Sequence, residues 1–325
     1  MILVTGASGF LGRHLVSALA SRFPGRAIRL FDLQAPSGSL PASTEVMVGS
    51  IEDPAAAAAA TKGVDVVIHL AAKVQPNSRD QAELRRINVE GARTMYTAAV
   101  QAGCPLFLHM SSAGVYGQPR RSAPFRETDP TRPEYPYQRT KFEAEQVLLA
   151  IDHGATRLVI LRPAGIYGAG SHLEIPSYKA IARQRWAIEQ KGGVVVHPTH
   201  VSDVTGAIMA ILEHPAPHGA VLNVGGERPI LLQELQALVA RALGVPRRRI
   251  VLPASVASAV ATVAGPLLSA LGRPKPNLYA FSCGERLNSA VDDAAFRAQY
   301  PRVPVRALRD GIQEQVDWAR SSGLL

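Results

Sequence analysis

The first twelve residues, Met1-Ile2-Leu3-Val4-Thr5-Gly6-Ala7-Ser8-Gly9-Phe10-Leu11-Gly12, run a strand of buried character directly into three glycines. Such a turn reads as a dinucleotide-binding element. Gly6 permits a tight reversal, Gly9 lets a pyrophosphate approach bare backbone, and Gly12 lets the next helix lie close to the sheet with an anion at its N-terminus. The spacing is GxxGxxG, one residue away from GxGxxG, so its context has to carry the reading. Leu15, Val16 and Leu19 have helical spacing, which predicts a helix from about Leu11 to Phe23. Arg29-Leu30-Phe31-Asp32 then closes a second strand on an acid. Asp32 is placed where a carboxylate accepts from both hydroxyls of a ribose; an ordinary turn residue is the alternative.

Apolar runs of strand length recur at Ile2 to Val4, Ile28 to Phe31, Val64 to Leu70, Leu106 to Met110 and Leu158 to Leu161. Helical stretches separate them at Asp53 to Lys62, Gln81 to Gly103 and Lys141 to His153. Strands buried on both faces and alternating with helices predict an α/β fold with a doubly wound parallel sheet. Pro and Gly cluster at Pro163 to Gly170, yet Thr205 to Glu213 reads again as helix and Val221 to Val224 as strand. The expected organisation is therefore interleaved. Residues 1–162 plus about 195–224 form a Rossmann-type dinucleotide domain, and about 163–194 plus 225–325 form a smaller α/β substrate domain.

Composition narrows the class. With 325 residues, 47% of them apolar, the chain can bury a sizeable core. Cys104 and Cys283 lack metal or disulfide-framework spacing and suggest a reduced, cytoplasmic setting; no metal site is expected. The N-terminus is needed as a core strand, which argues against a secretory leader. A net charge of +9 reads as a solvated basic surface, since no nucleic-acid module accompanies it.

Tyr137-Gln138-Arg139-Thr140-Lys141 follows Pro136 at a helix start, and residues four apart share a helix face. A phenol beside an ammonium is biased toward phenolate and can exchange a proton with an alcohol or ketone. Lys141 can also reach a ribose hydroxyl. The strand Leu106 to Met110 ends in Ser111-Ser112 at the sheet edge where open α/β folds place ligands. A hydroxyl there can donate to a substrate oxygen; turn formation is the competing reading, stronger for Ser111 than for Ser112.

These segments resemble the extended short-chain dehydrogenase/reductases, a family of NAD-dependent epimerases, dehydratases and 3β-hydroxysteroid dehydrogenases. TGASGFLG is similar to its TGxxGFxG, so the resemblance places Ser8, Gly9, Phe10 and Leu11 with Gly6 and Gly12 around the pyrophosphate. His69-Leu70-Ala71-Ala72 resembles its H-x-A-A strand end beside the adenine ribose, and Asn88 its helix-packing asparagine. Ser112 and Tyr116 fit S-x-x-V-Y-G, and Tyr137 and Lys141 fit YxxxK, which implies Ser112, Tyr137 and Lys141 as catalytic residues. Arg162-Pro163-Ala164-Gly165-Ile166-Tyr167-Gly168 resembles the loop whose backbone holds the carboxamide of nicotinamide. His200-Val201-Ser202-Asp203-Val204 and Asn223-Val224-Gly225-Gly226 are similar to later landmarks. The implied cofactor is NAD, with NADP as the alternative. Its expected contacts are Gly6, Ser8, Gly9, Phe10, Leu11, Gly12, Asp32, Ser50, Ile51, Leu70, Ala71, Ala72, Asn88, Ser111, Tyr137, Lys141, Pro163, Ala164 and Ile166. A homodimer formed through the helices around Gln81 to Gly103 and Lys141 to His153 is also implied.

The departures bear on substrate. Val196-His197-Pro198-Thr199 lacks the arginine with which sugar-nucleotide members grip a diphosphate, and Ala164 stands where they often have asparagine. Ser50 replaces the aspartate that usually meets the adenine amino group, and Asp292-Asp293-Ala294-Ala295 lacks a lysine. The uncharged stretch Ala254 to Leu271, followed by Gly272-Arg273-Pro274-Lys275-Pro276, resembles that of the 3β-hydroxysteroid dehydrogenase and 3-oxoalkanoate reductase branch. It suggests a helix pair over the substrate, with contact at a membrane surface as the lesser reading. The expected function is hydride transfer between nicotinamide and a hydrophobic secondary alcohol or ketone. The alternatives are a nucleotide-sugar epimerase or dehydratase, which would recruit Arg183, Arg185, Arg247 to Arg249 or Arg286 for phosphate, and a non-catalytic NAD(P)-binding subunit.

Overall fold

In chain order the elements are β1 (Ile2–Thr5), α1 (Phe10–Arg22), β2 (Ile28–Asp32), β3 (Thr44–Val48), α2 (Pro54–Thr61), β4 (Val66–His69), α3 (Gln81–Arg85), α4 (Gly91–Gln101) and β5 (Leu106–Met110). There follow α5 (Pro136–Ala150), β6 (Arg157–Pro163), β7 (Ile166–Tyr167), α6 (Ile175–Ala182), β8 (Ala187–Gln190), β9 (Val194–Val196), β10 (Thr199–His200), α7 (Val201–Glu213) and β11 (Ala220–Val224). The last are β12 (Ile230–Leu231), α8 (Leu232–Ala242), β13 (Arg249–Leu252), β14 (Leu287–Asn288), α9 (Ala294–Gln299) and α10 (Leu308–Ser321). The structure is a computed structural model that describes residues 1–74, 80–117, 123–184, 187–190, 193–253, 256 and 287–325. Apart from Val256, the apolar stretch Ala254 to Leu271 lies outside the described residues, as do Gly272 to Pro276, Cys283, Arg185 and Arg286.

Seven strands form one parallel sheet in the order β11-β6-β5-β4-β1-β2-β3. This is the doubly wound arrangement that the alternation predicts. Every residue of β1, β4 and β5 is buried, because helices cover both faces. Leu15 and Leu19 of α1 and Val204, Ile208 and Ile211 of α7 fill one face with Ile2, Val4, Leu108 and Leu161. On the other, Ala57 and Ala60 of α2 meet Ala98 and Ala99 of α4, and these small side chains let the two helices approach closely over Leu3, Val67 and Phe107. The Asp53 carboxylate caps α2 by accepting from Ala55 N at 2.9 Å, ahead of Pro54 at the first turn.

Two elements differ from the sequence reading. β3 is an additional edge strand with exposed residues, which no buried apolar run announces. Gln81 to Gly103 is not one helix: a π-helical segment, Arg86–Glu90, separates α3 from α4. The Asn88 side chain in that segment accepts from Lys73 N at 2.7 Å and donates to Thr140 Oγ1 at 3.0 Å, so it bridges the chain after β4 to α5. Wider turns of this kind recur at functional sites. A second cluster, Tyr167, Tyr178, Ile230, Val239, Leu243, Leu308, Ile312 and Val316, lies beyond the large sheet, where α6, α8 and α10 pack with the short strands β9 and β12.

Candidate active site

The sheet order reverses between β1 and β4, and the carboxyl ends of these strands open onto a cleft of about 1210 Å³. Open α/β sheets bind ligands at this point. Every cofactor and catalytic residue expected from sequence borders the cleft except Asn88, which lies behind it and acts through its bonds to Lys73 and Thr140.

The glycine turn is shaped for close backbone approach. Gly6 has φ +69°, and a Cβ there would stand 2.7 Å from Ala71 N. A Cβ on Gly12 would stand 2.3 Å from Gly6 O, so α1 lies against its own entry turn, as the third glycine predicts. Thr5 Oγ1 accepts from Ala71 N at 3.2 Å and lies 2.9 Å from His69 Nδ1, which joins the ends of β1 and β4. Asp32 accepts from Ser8 N at 2.9 Å and from Leu33 N at 2.7 Å, so one carboxylate orders both the glycine turn and its own loop. Ser50 Oγ accepts from Glu52 N at 3.2 Å. Bare backbone, a helix N-terminus, an acid at the end of β2 and an apolar floor from Ile51 and Leu70 to Ala72 fit a dinucleotide.

At the other end, Pro136 starts α5 and Gln138 accepts from Glu134 N at 2.9 Å and Tyr135 N at 3.1 Å, which fixes the first turn and with it Tyr137. A Cβ on Gly114 would stand 3.1 Å from the Gln138 side chain, so the turn after Ser112 packs against this helix start. Ser112 Oγ accepts from Gly114 N at 3.0 Å. The turn-forming hydroxyl is therefore Ser112, and accepting through oxygen leaves its proton for a substrate oxygen. Ser111, which also borders the cleft, donates its hydroxyl to Glu145.

Burial corrects one expectation. Lys141 does not bring the Tyr137 phenol below its ordinary range; desolvation pushes it up to about 12. Lys141 itself is pushed down to about 8 by burial, against an upward pull from Glu145. Beneath Lys141, the rings of His69 and His109 stack at 5.6 Å on adjacent strands. Burial, then the Lys141 charge, pushes His69 down to about 3; burial and the same charge hold His109 well below the imidazole range.

Sequence reading missed Glu145 and Arg162. Arg162 Nε and Nη2 donate to Glu145 at 3.0 and 2.6 Å, and Nη1 donates to Tyr116 Oη at 2.9 Å. Tyr116 passes the chain to Asn223 Oδ1 at 2.8 Å. The available signal was the spacing: Glu145 is one helical turn beyond Lys141, as Lys141 is beyond Tyr137.

The NAD dependent epimerase/dehydratase family model matches residues 2–225. The chain belongs to this family. It is an extended short-chain dehydrogenase/reductase, an NAD-using enzyme. Among relatives, it is 29% identical over 273 residues to a 4-hydroxy-2-methyl-3-oxo-4-farnesyl-3,4-dihydroquinoline-1-oxide ketoreductase of Stigmatella aurantiaca, with 82% of this chain and 80% of that protein covered. It is 34% identical over 186 residues to 3 beta-hydroxysteroid dehydrogenase type 7 of Mus musculus, covering 52% of this chain and 50% of the mouse protein. Among solved structures, MoeE5 in complex with UDP-glucuronic acid and NAD superposes with a TM-score of 0.78 at 25% identity over 99% of both chains. Members of the family thus act on unlike substrates over one shared fold.

Proposed function

We propose that this enzyme transfers hydride between NAD and a hydrophobic secondary alcohol or ketone, with Tyr137, Ser112 and Lys141 as its catalytic residues. The glycine turn and α1 hold the pyrophosphate, Asp32 the adenine-side ribose, Ser50 and Ile51 the adenine, and Pro163, Ala164 and Ile166 the nicotinamide amide. NAD supplies the hydride acceptor or donor. In the reductive direction Tyr137 gives its proton to the carbonyl oxygen as that carbon receives hydride, while Ser112 donates a hydrogen bond to the same oxygen. A phenol held protonated by burial is suited to that delivery. Lys141 donates to a ribose hydroxyl and favours the phenolate once the proton has left.

The substrate class rests on where the cleft keeps its charges. Among the described residues its lining cations are Arg13, Lys73 and Lys141. Arg13 donates to Ser8 O at 2.8 Å, Lys73 pairs with Glu83, and Lys141 is buried beside the catalytic tyrosine. Arg183, Arg247, Arg248 and Arg249 are not in the lining. Leu173, 71% exposed, and Val74, 53% exposed, do line it, with Ala113 and Ile166. Covering such side chains contributes about 25 cal/mol per Å² with an apolar ligand and nothing comparable with a diphosphate. The likeness to the UDP-glucuronic acid complex supports the second reading, an epimerase or dehydratase of nucleotide sugars. Mass spectrometry of ligands carried through purification, with turnover assays on hydrophobic ketones and on UDP- and dTDP-sugars, separates them. Retained nucleotide sugar with turnover of it overturns the first reading.

A further inference from the structure

The polar chain behind the cleft has a feature that a purely structural brace would not need. Glu145 is fully buried and lies one helical turn past Lys141 on α5. Both its oxygens are engaged: Arg162 takes them through two nitrogens at 3.0 and 2.6 Å, and the Ser111 hydroxyl donates to one of them. Arg162 is fixed in turn by Tyr116, which it faces both as a hydrogen-bond donor at 2.9 Å and as a cation 5.0 Å from the ring centroid. The carboxylate is therefore pinned from β5, β6 and the turn after Ser112, and cannot swing away from α5.

We propose that Glu145 is a positioning residue for Lys141. Clamped by Arg162 and Ser111, it supplies the buried negative charge that keeps Lys141 an ammonium at working pH.

The other groups facing Lys141 do not supply that charge. From its own helix it meets Tyr137, a protonated phenol; from β4 and β5 it meets His69 and His109, both neutral, lowered by burial and then by the Lys141 charge. Arg162, on β6, is a like charge. Of these groups only Glu145 favours protonated Lys141, and it does so against a burial cost that has already brought the lysine down to about 8. Lys141 thus operates close to the pH at which it loses its proton, so a modest change in its surroundings alters its charge.

The proposal rests on Lys141 as the ribose and tyrosine partner, and the experiment separates the two claims. NADH affinity, by calorimetry, and kcat/KM would be measured from pH 6 to 10 for the wild type, Lys141→Met, Glu145→Gln and the Glu145→Gln/Arg162→Met double variant. The wild type should lose affinity as pH rises through about 8. Lys141→Met should lack that limb; a limb that persists there overturns the Lys141 reading, and the proposal with it. If that reading stands, Glu145→Gln should move the limb down by a pH unit or more, which is about a tenfold loss of affinity on the limb. A structural brace alone would lower affinity equally at every pH and leave the limb in place, and that result overturns the proposal. Should Glu145→Gln fail to fold because Arg162 is left unpaired, the double variant removes both members of that ion pair and serves in its place. Its limb should lie below the wild-type position, and a limb at the wild-type position overturns the proposal.

Discussion

Tyr137 and Lys141 stand one helical turn apart, and burial draws each toward its neutral form, the phenol up to about 12 and the ammonium down to about 8. In the proposed reaction, proton delivery from Tyr137 is the step most exposed to mutation. Tyr137→Phe should cut kcat by about a hundredfold or more and leave NADH affinity nearly unchanged, read by steady-state assay and calorimetry. At the far end of the cleft, the Asp32 carboxylate would meet the extra phosphate of NADP with like-charge repulsion. NADH should bind more tightly than NADPH in parallel titrations, and Asp32→Asn should narrow the gap. His109 supplies a stability test, since neither ring nitrogen has a hydrogen-bond partner among the described residues and the residue is fully buried. Its proton affinity is depressed in the folded state, so its contribution is present above the ordinary imidazole range near 6.5 and is lost as pH falls below it, when the unfolded chain takes the proton. His109→Leu should leave stability at pH 7 equal or higher and weaken the acid loss, measured by urea unfolding at pH 7 and pH 5. The tyrosine-lysine pair was legible because helical period is local. The Ser111–Glu145 bond was not, because it joins residues 34 apart on different elements.

At the scale of elements, the strand, turn and helix from Ile2 to Arg22 were readable from the glycines together with the apolar strand before them and the helical spacing of Leu15, Val16 and Leu19 after them, and the packing shows why. Gly12→Ala would set a Cβ within 2.3 Å of Gly6 O, which α1 can relieve only by moving off its entry turn. We expect a loss of about 1–3 kcal/mol in stability, from denaturant unfolding, and weaker NADH binding by calorimetry. Gly9→Ala, with its nearest neighbour at 3.2 Å, should be milder in stability. The π-helical segment Arg86–Glu90 was not read from the sequence, because the helical signal continues on both sides of it, in Gln81–Arg85 and Gly91–Gln101. Its product is Asn88, placed to hold Lys73 N and Thr140 together. β3 went unread for the opposite reason: an exposed edge strand has no buried face to impose a period.

Over the whole molecule, the alternation of strands and helices dictated the parallel sheet, since strands covered on both faces must be apolar throughout. The return of the chain to that sheet at β11, after leaving it at β6, was likewise visible in the Val221 to Val224 run. Substrate choice was less legible, because it depends on which side chains from distant segments reach the same wall; Val74 and Leu173 are far apart in sequence and both line the cleft. The measurement that tests the account most directly is NADH-dependent reduction of ketones of increasing alkyl length, at low and high salt, with and without UDP. KM should fall with each added CH₂, by up to about 0.8 kcal/mol, with little effect of salt and none of UDP. Competition by UDP at micromolar concentration, weakening as salt is raised, would contradict the account and assign the cleft to a nucleotide sugar.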